Sequence, residues 1–265
     1  MNTTLMIPMK RRQFVSSSLL ATATLATAQA QVGSAAPKKA VLELRTYEMR
    51  FGASAATLEN YLKDALIPAL NRLGIKAVGV FREVGKSDPA RLRVLIPHLS
   101  MESYATAAGA LGSDAVYVKA SQTYTDITPD KAPYTRYTTS LMLAFDALPQ
   151  VVVPAQEGRI FELRTYEGYS EDAVRRKIRM FNVDELPIFY RTKLNPVFFG
   201  EVIAGDNMPC LAYMLTFKNM EERDANWKQF IADADWKRIS QAPEYANTVS
   251  NIIRVFLEPA PYSQL

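Results

Sequence analysis

The hexapeptide Glu-Leu-Arg-Thr-Tyr-Glu occurs twice in this chain, at 43–48 and again at 162–167. In an extended strand alternate side chains share a face, so Glu43, Arg45 and Tyr47 point one way and Leu44 and Thr46 the other. The second copy repeats this with Glu162, Arg164 and Tyr166. An arginine offers a forked set of donors to an anionic or polar ligand, and a desolvated glutamate can act as a general base. If the apolar set meets helices, the Glu-Arg-Tyr set faces an opposing sheet. Two readings follow. The six residues line a ligand site, or two Glu–Arg pairs cross-pair about a pseudo-twofold axis and fix how the sheets dock. The docking reading is preferred at this point, with any pocket placed elsewhere in the second half.

Other chemistry-bearing residues are few. His98 is the only histidine and falls at a strand end before a helix cap, so a surface or capping role is expected. No spaced His/Cys/acid cluster supplies a metal site. No cofactor is expected, including a haem held through His98. Trp227, Phe230 and Trp236 could stack a flat ligand, although core packing is the favoured reading. Cys210 is the only cysteine; it reads as a small apolar strand residue, and the chain has no internal disulfide. Phosphate loops, nucleophile elbows and paired-Cys motifs are absent from the sequence.

The N-terminus has the layout of an export signal. Lys10, Arg11 and Arg12 precede a weakly apolar run and the pattern Ala28-Gln29-Ala30, and Arg11-Arg12 with Phe14 resembles the twin-arginine type. Residues 1–30 are read as this signal and 31–39 as a flexible mature N-terminus. An exported, periplasmic or otherwise extracytoplasmic protein is expected. The charge balance of 31 basic against 27 acidic residues falls to 28 against 27 once the signal is set aside. That near-neutrality, with no basic run interleaved with aromatics, excludes nucleic acid as an expected partner. No integral membrane span is expected in the mature chain. The densest positive patch, residues 174–179, reads as the solvated face of a helix with Val174 and Ile178 inward.

Stepping the first copy by 119 or 120 residues aligns far more than the hexapeptide. Pro68 meets Pro187, Gly85–Pro89 meets Gly205–Pro209, and Ser100–Ser103 meets Asn219–Glu222. Internal similarity at this period means two copies of a domain. Each copy reads as strand, helix, strand, strand, helix, strand. Leu58, Leu62, Ala65, Leu66, Ala69 and Leu73 recur at helical spacing, and both first helices carry a proline that must split or kink them. Ser100 and Asn219 read as N-caps, and Glu222 completes a capping box with Asn219. The order predicts an α+β fold of two tandem ferredoxin-like (βαββαβ) domains, 40–147 and 160–265, joined by a Pro-bearing linker at 148–159. Each sheet has one face without helices, so the two pack together as an intramolecular dimeric α+β barrel.

The repeated Leu-Arg-Thr-Tyr-Glu strand, the Pro-bearing first helix, the Asn226–Tyr245 segment and the closing Pro-Ala-Pro-Tyr-Ser-Gln-Leu resemble the NIPSNAP family of the dimeric α+β barrel group. The resemblance is stronger in the second copy, because the first lacks both tryptophans. It implies a protein that binds a small organic molecule or a protein partner, with an internal pseudo-dimer and room for a further homodimer. Proteins of this fold include cofactor-free monooxygenases, haem-handling enzymes and isomerases. A cofactor-free oxygenase or isomerase and a purely structural interaction module are therefore the alternative readings.

Overall fold

Alternating strand patterns and two helical periods per copy become, among the described residues, eight strands and eight α-helices. A computed structural model describes residues 38–85, 87–155 and 159–265. The signal residues Arg11, Arg12, Phe14, Ala28 and Ala30 lie outside the described residues. The first half runs β1 (Val41–Met49), α1 (Ala56–Asn60), α2 (Ile67–Arg72), β2 (Gly79–Glu83), β3 (Arg91–His98), α3 (Met101–Gly112), α4 (Ala115–Thr125) and β4 (Tyr134–Ala144). The second runs β5 (Ile160–Glu167), α5 (Glu171–Met180), α6 (Leu186–Arg191), β6 (Asn195–Ala204), β7 (Cys210–Phe217), α7 (Met220–Ala232), α8 (Ala234–Ile239) and β8 (Asn251–Pro259).

The split expected at the prolines is present in both halves. α1 and α2 are joined by a π-helical stretch, Tyr61–Leu66, and α5 and α6 by Phe181–Glu185, each ending just before Pro68 or Pro187. A proline has no N–H for the i→i−4 ladder, and the widened turn accommodates that missing bond without ending the helix. The second helical segments start on the expected caps. Ser100 accepts from the Ser103 amide at 3.1 Å and Asn219 from the Glu222 amide at 2.9 Å. Glu222 returns a bond to the amide of Lys218, one residue before the cap.

All eight strands pair antiparallel in one closed barrel, ordered β1-β3-β2-β8-β5-β7-β6-β4. Two seams join the halves: β2 to β8, from Phe81 opposite Pro259, and β4 to β6, from Ala144 opposite Gly200. Among the described residues, no helix is long and apolar enough to cross a membrane, and no group of three or more His, Cys, Asp or Glu is placed to hold a metal.

The faces of β1 and β5 are the reverse of the sequence expectation. Leu42 and Leu44 point into the barrel, where they pack with Phe161, Leu163, Met142 and Phe198 across the half-to-half boundary. Tyr47 lies on the outer face with Leu58, Leu62 and Leu70 of the first helices. Glu43 and Arg45 share that outer, helix-covered face. Closing eight strands leaves a narrow interior, so the slimmer Leu/Thr set goes inside. The bulky Glu-Arg-Tyr set goes beneath the helices, which can supply its polar partners. The two Glu–Arg pairs do not face each other, and the docking-joint reading is withdrawn.

Candidate ligand site

In the first half, Glu43 is 3 % exposed, and its two oxygens are divided between two partners. Arg45 Nε donates to Oε1 at 2.5 Å, and His98 Nε2 lies 2.8 Å from Oε2. His98 is only 1 % exposed, which corrects the expected surface role. Its position at the end of β3 puts it across from Val41, directly beside the strand that carries Glu43. Burial pushes the Glu43 carboxyl up, but the His98 hydrogen bond and the Arg45 charge outweigh it and hold the group below its ordinary 4.5. An ionised Glu43 accepts, so His98 Nε2 carries the proton and donates. In the neutral imidazole the other nitrogen, Nδ1, is then an acceptor. Nδ1 is buried and has no hydrogen-bond partner.

Beside this pair lies a cavity of about 500 Å³ between the sheet and the helices. Glu43, Arg45 and His98 line its polar side; Tyr61, Tyr104 and Tyr117 line the aromatic side. The Tyr61 and Tyr117 hydroxyls are 2.9 Å apart, Tyr124 stacks on Tyr61 at 3.9 Å, and Tyr104 sets its edge against the His98 ring at 5.2 Å. Burial raises the Tyr61 phenol well above its ordinary value, so it is a neutral donor. A larger groove of about 700 Å³ lies at one end of the barrel, between the β1–α1 loop and the β2–β3 hairpin. Among the described residues, none of the buried polar side chains lines it, so it offers less chemistry.

The second half treats the same carboxylate differently. Glu162 is fully buried and receives Arg164 at 3.1 Å, Arg223 at 2.9 and 3.0 Å, and the Trp227 indole N–H at 3.0 Å. The Arg164 guanidinium stacks over Trp227 at 4.5 Å. At the repeat shift of 119 residues, Trp227 corresponds to Ala108, Arg223 to Tyr104 and Phe217 to His98. Ala108 lines the first-half cavity; the Trp227 indole occupies the equivalent volume. The expected second-half pocket is therefore replaced by a first-half one, and the tryptophans are what fill the other.

Of the eight sequence candidates, the structure brings Glu43 and Arg45 to the cavity, with Tyr47 buried next to it in the first-half core. Glu162, Arg164 and Trp227 form one closed cluster, while Tyr166 and Trp236 pack against the second core with Phe230. Sequence reasoning missed a buried ion pair in that core. Lys177 Nζ reaches Glu185 Oε2 at 2.7 Å, so one member of the patch read as solvated is 5 % exposed. Burial raises the Glu185 carboxyl despite Lys177. Aligning the repeats could have found these positions: Lys177 and Glu185 fall on Leu58 and Leu66, and His98 falls on Phe217, all core positions. Cys210 is buried in β7 as expected, and burial pushes its thiol up to about 11.

Residues 161–264 match the NIPSNAP family profile. The second half of the chain is NIPSNAP-like. No functionally curated protein matches the chain. Among solved structures, a provisionally assigned monooxygenase from Lactobacillus acidophilus superposes with a TM-score of 0.58 at 10 % identity, covering 84 % of this chain and 94 % of its own. A second provisionally assigned monooxygenase, from Fusobacterium nucleatum, gives 0.56 at 6 % identity, covering 84 % and 93 %. A NIPSNAP family protein from Agrobacterium tumefaciens covers 43 % of this chain and 96 % of its own, with a TM-score of 0.38 at 13 % identity. The two longer similarities establish the mixed α+β fold with its closed barrel; at such identities they establish no activity.

Proposed function

We propose that the chain is an exported NIPSNAP-like protein of two tandem ferredoxin-like domains, 40–147 and 160–265, whose first domain binds a small organic molecule over Glu43 and His98. The observation that carries this reading is the partnerless, buried Nδ1 of His98 beside a tyrosine-lined cavity. A buried acceptor left unpaired costs free energy, and a turn of the ring toward the cavity would let a guest hydroxyl recover it. The tyrosines suit a flat ring, and Arg45 suits a partial or full negative charge on it. Titration with 2-naphthol, followed by its fluorescence, tests the idea. Saturable binding should be lost in Ala108→Trp, which copies the second half, and weakened at least tenfold in His98→Phe. Binding that persists in Ala108→Trp, or no saturable binding of naphthols or naphthoates at all, sinks it and favours a structural module.

The same geometry supports a second reading, a cofactor-free oxygenase or isomerase. Glu43 holds the His98 ring through Nε2 and leaves Nδ1 as the nitrogen that would accept a proton from an acidic O–H or C–H. The provisional assignments of the two barrel relatives point the same way. Turnover separates the readings: a bound naphthol that neither consumes oxygen nor exchanges carbon-bound hydrogen in D₂O is a ligand and not a substrate. Export rests on Arg11-Arg12-Phe14 and Ala28-Gln29-Ala30. Cell fractionation with N-terminal mass analysis tests it. Arg11→Lys with Arg12→Lys should leave an uncleaved precursor in the cytoplasm.

A further inference from the structure

The barrel interior is a second vacant space that the first-half cavity does not explain. At one end it is plugged by Phe81, Phe161, Phe198 and Leu42, each no more than 1 % exposed. Toward the other end the inward side chains shrink to Thr46, Thr165, Ala212 and Ser140, and a well of about 610 Å³ remains. An eight-stranded barrel either fills its interior with side chains or holds one small ligand there.

The two walls of the well differ in proportion. On the first half Thr46, Thr138 and Ser140 stand above Leu44 and Met142; on the second, Leu163, Val202 and Val255 form an apolar stretch whose polar members, Thr165, Asp206 and Asn207, lie toward the mouth. Both arginines at the mouth already face carboxylates. Arg93 binds Glu83 at 2.6 Å and Thr46 at 3.1 Å. Arg91 lies 3.9 Å from Glu83 and directly across the strands from Glu48. The loops at this end expose Phe51, Val84, Tyr169 and Met208, so apolar surface surrounds the entrance.

We propose that the barrel interior binds one uncharged amphipathic molecule, with its apolar body against the second-half wall and a hydroxyl or carbonyl against the first-half threonines and Ser140. Apolar wall exposed to water favours such a guest, while both lining arginines already face carboxylates and offer no unclaimed charge to an anion. This site is separate from the cavity beneath the first-half helices and does not depend on it.

The probe is N-phenyl-1-naphthylamine, whose fluorescence rises in apolar surroundings, with decanol, decanoate and decylamine as competitors against the full chain. The expected result is saturable enhancement, displaced by decanol at least tenfold more effectively than by either charged analogue. Ala212→Phe should abolish it by filling the well. Thr138→Trp, which narrows the exposed mouth without touching the barrel core, should weaken it at least tenfold, and Ala108→Trp should leave it unchanged. Enhancement lost in Ala108→Trp and retained in Thr138→Trp would move the guest to the other cavity and overturn the proposal. Preferential displacement by a charged analogue, or no enhancement at all, would overturn it equally.

Discussion

The two halves begin with the same six residues and then handle them in opposite ways. Glu162 is saturated by two arginines and an indole, and its surroundings are solid. Glu43 has one arginine and one histidine, and the histidine's second nitrogen is left facing a buried surface without a partner. A duplication allows this division. One copy can be closed and stabilised while the other keeps space for chemistry, because the barrel requires both only as walls. The substitution that decides which is which is small against large, Ala108 against Trp227.

The comparison can be broken most forcefully at Trp227. Trp227→Ala removes packing against Phe189 and Phe230 and one donor to Glu162, and should cost about 3–5 kcal/mol in urea unfolding. The same treatment of its counterpart has nothing to remove. Next, Glu162→Gln leaves Arg164 and Arg223 without their shared anion and should cost about 3 kcal/mol. Glu43→Gln should cost clearly less, because Arg45 keeps access to solvent, but it should weaken naphthol binding.

The Lys177–Glu185 pair sharpens the contrast. Lys177→Leu alone strands a buried carboxylate and should destabilise by about 3 kcal/mol. Lys177→Leu with Glu185→Leu, which restores the pattern of Leu58 and Leu66, should be close to neutral. Acid should then affect the halves with opposite signs. Glu43 sits below its ordinary 4.5, so its contribution is complete above that pH and lost as pH falls through the folded value. Glu185 is raised by burial, so its contribution is present below 4.5 and lost as pH rises through its folded value. Amide exchange across pH 3–7 should show protection falling on acidification around β1 and β3, with the opposite trend around α5 and α6. The smallest effects should come from an exposed pair that both halves keep. Arg72 on Asp114 and Arg191 on Asp233 tie the same cap in each, and Arg→Ala at either should barely move the melting temperature.

Local patterns made much of this legible. Caps, turns, prolines and periodicity act over a few residues, and the repeat shift carried each assignment from one copy to the other. The orientation of β1 was not legible, because both of its faces are buried and alternation says only that they differ. Nor was the His98–Glu43 contact, which spans 55 residues and depends on the β1–β3 register. The cavity itself is a deficit of volume. It shows in the sequence only as Ala108 beneath Trp227, and only once the register of the repeat is trusted over the chemistry of the hexapeptide.

The seam at the end of the chain has a consequence for biosynthesis. After β8, the backbone and side chains of Ala260, Ser263 and Gln264 bond to Val78 and Val80 of the first half, at 2.8 to 3.0 Å. The free edge of β2, made early, is thus covered by residues made more than 180 positions later, the contacts being 183 and 186 residues apart. Until then the first half presents an unpaired strand edge and an open apolar face. Barrel closure therefore waits on β8 and the segment after it, and loss of residues 260–265 would be felt first at β2, in the other half of the chain.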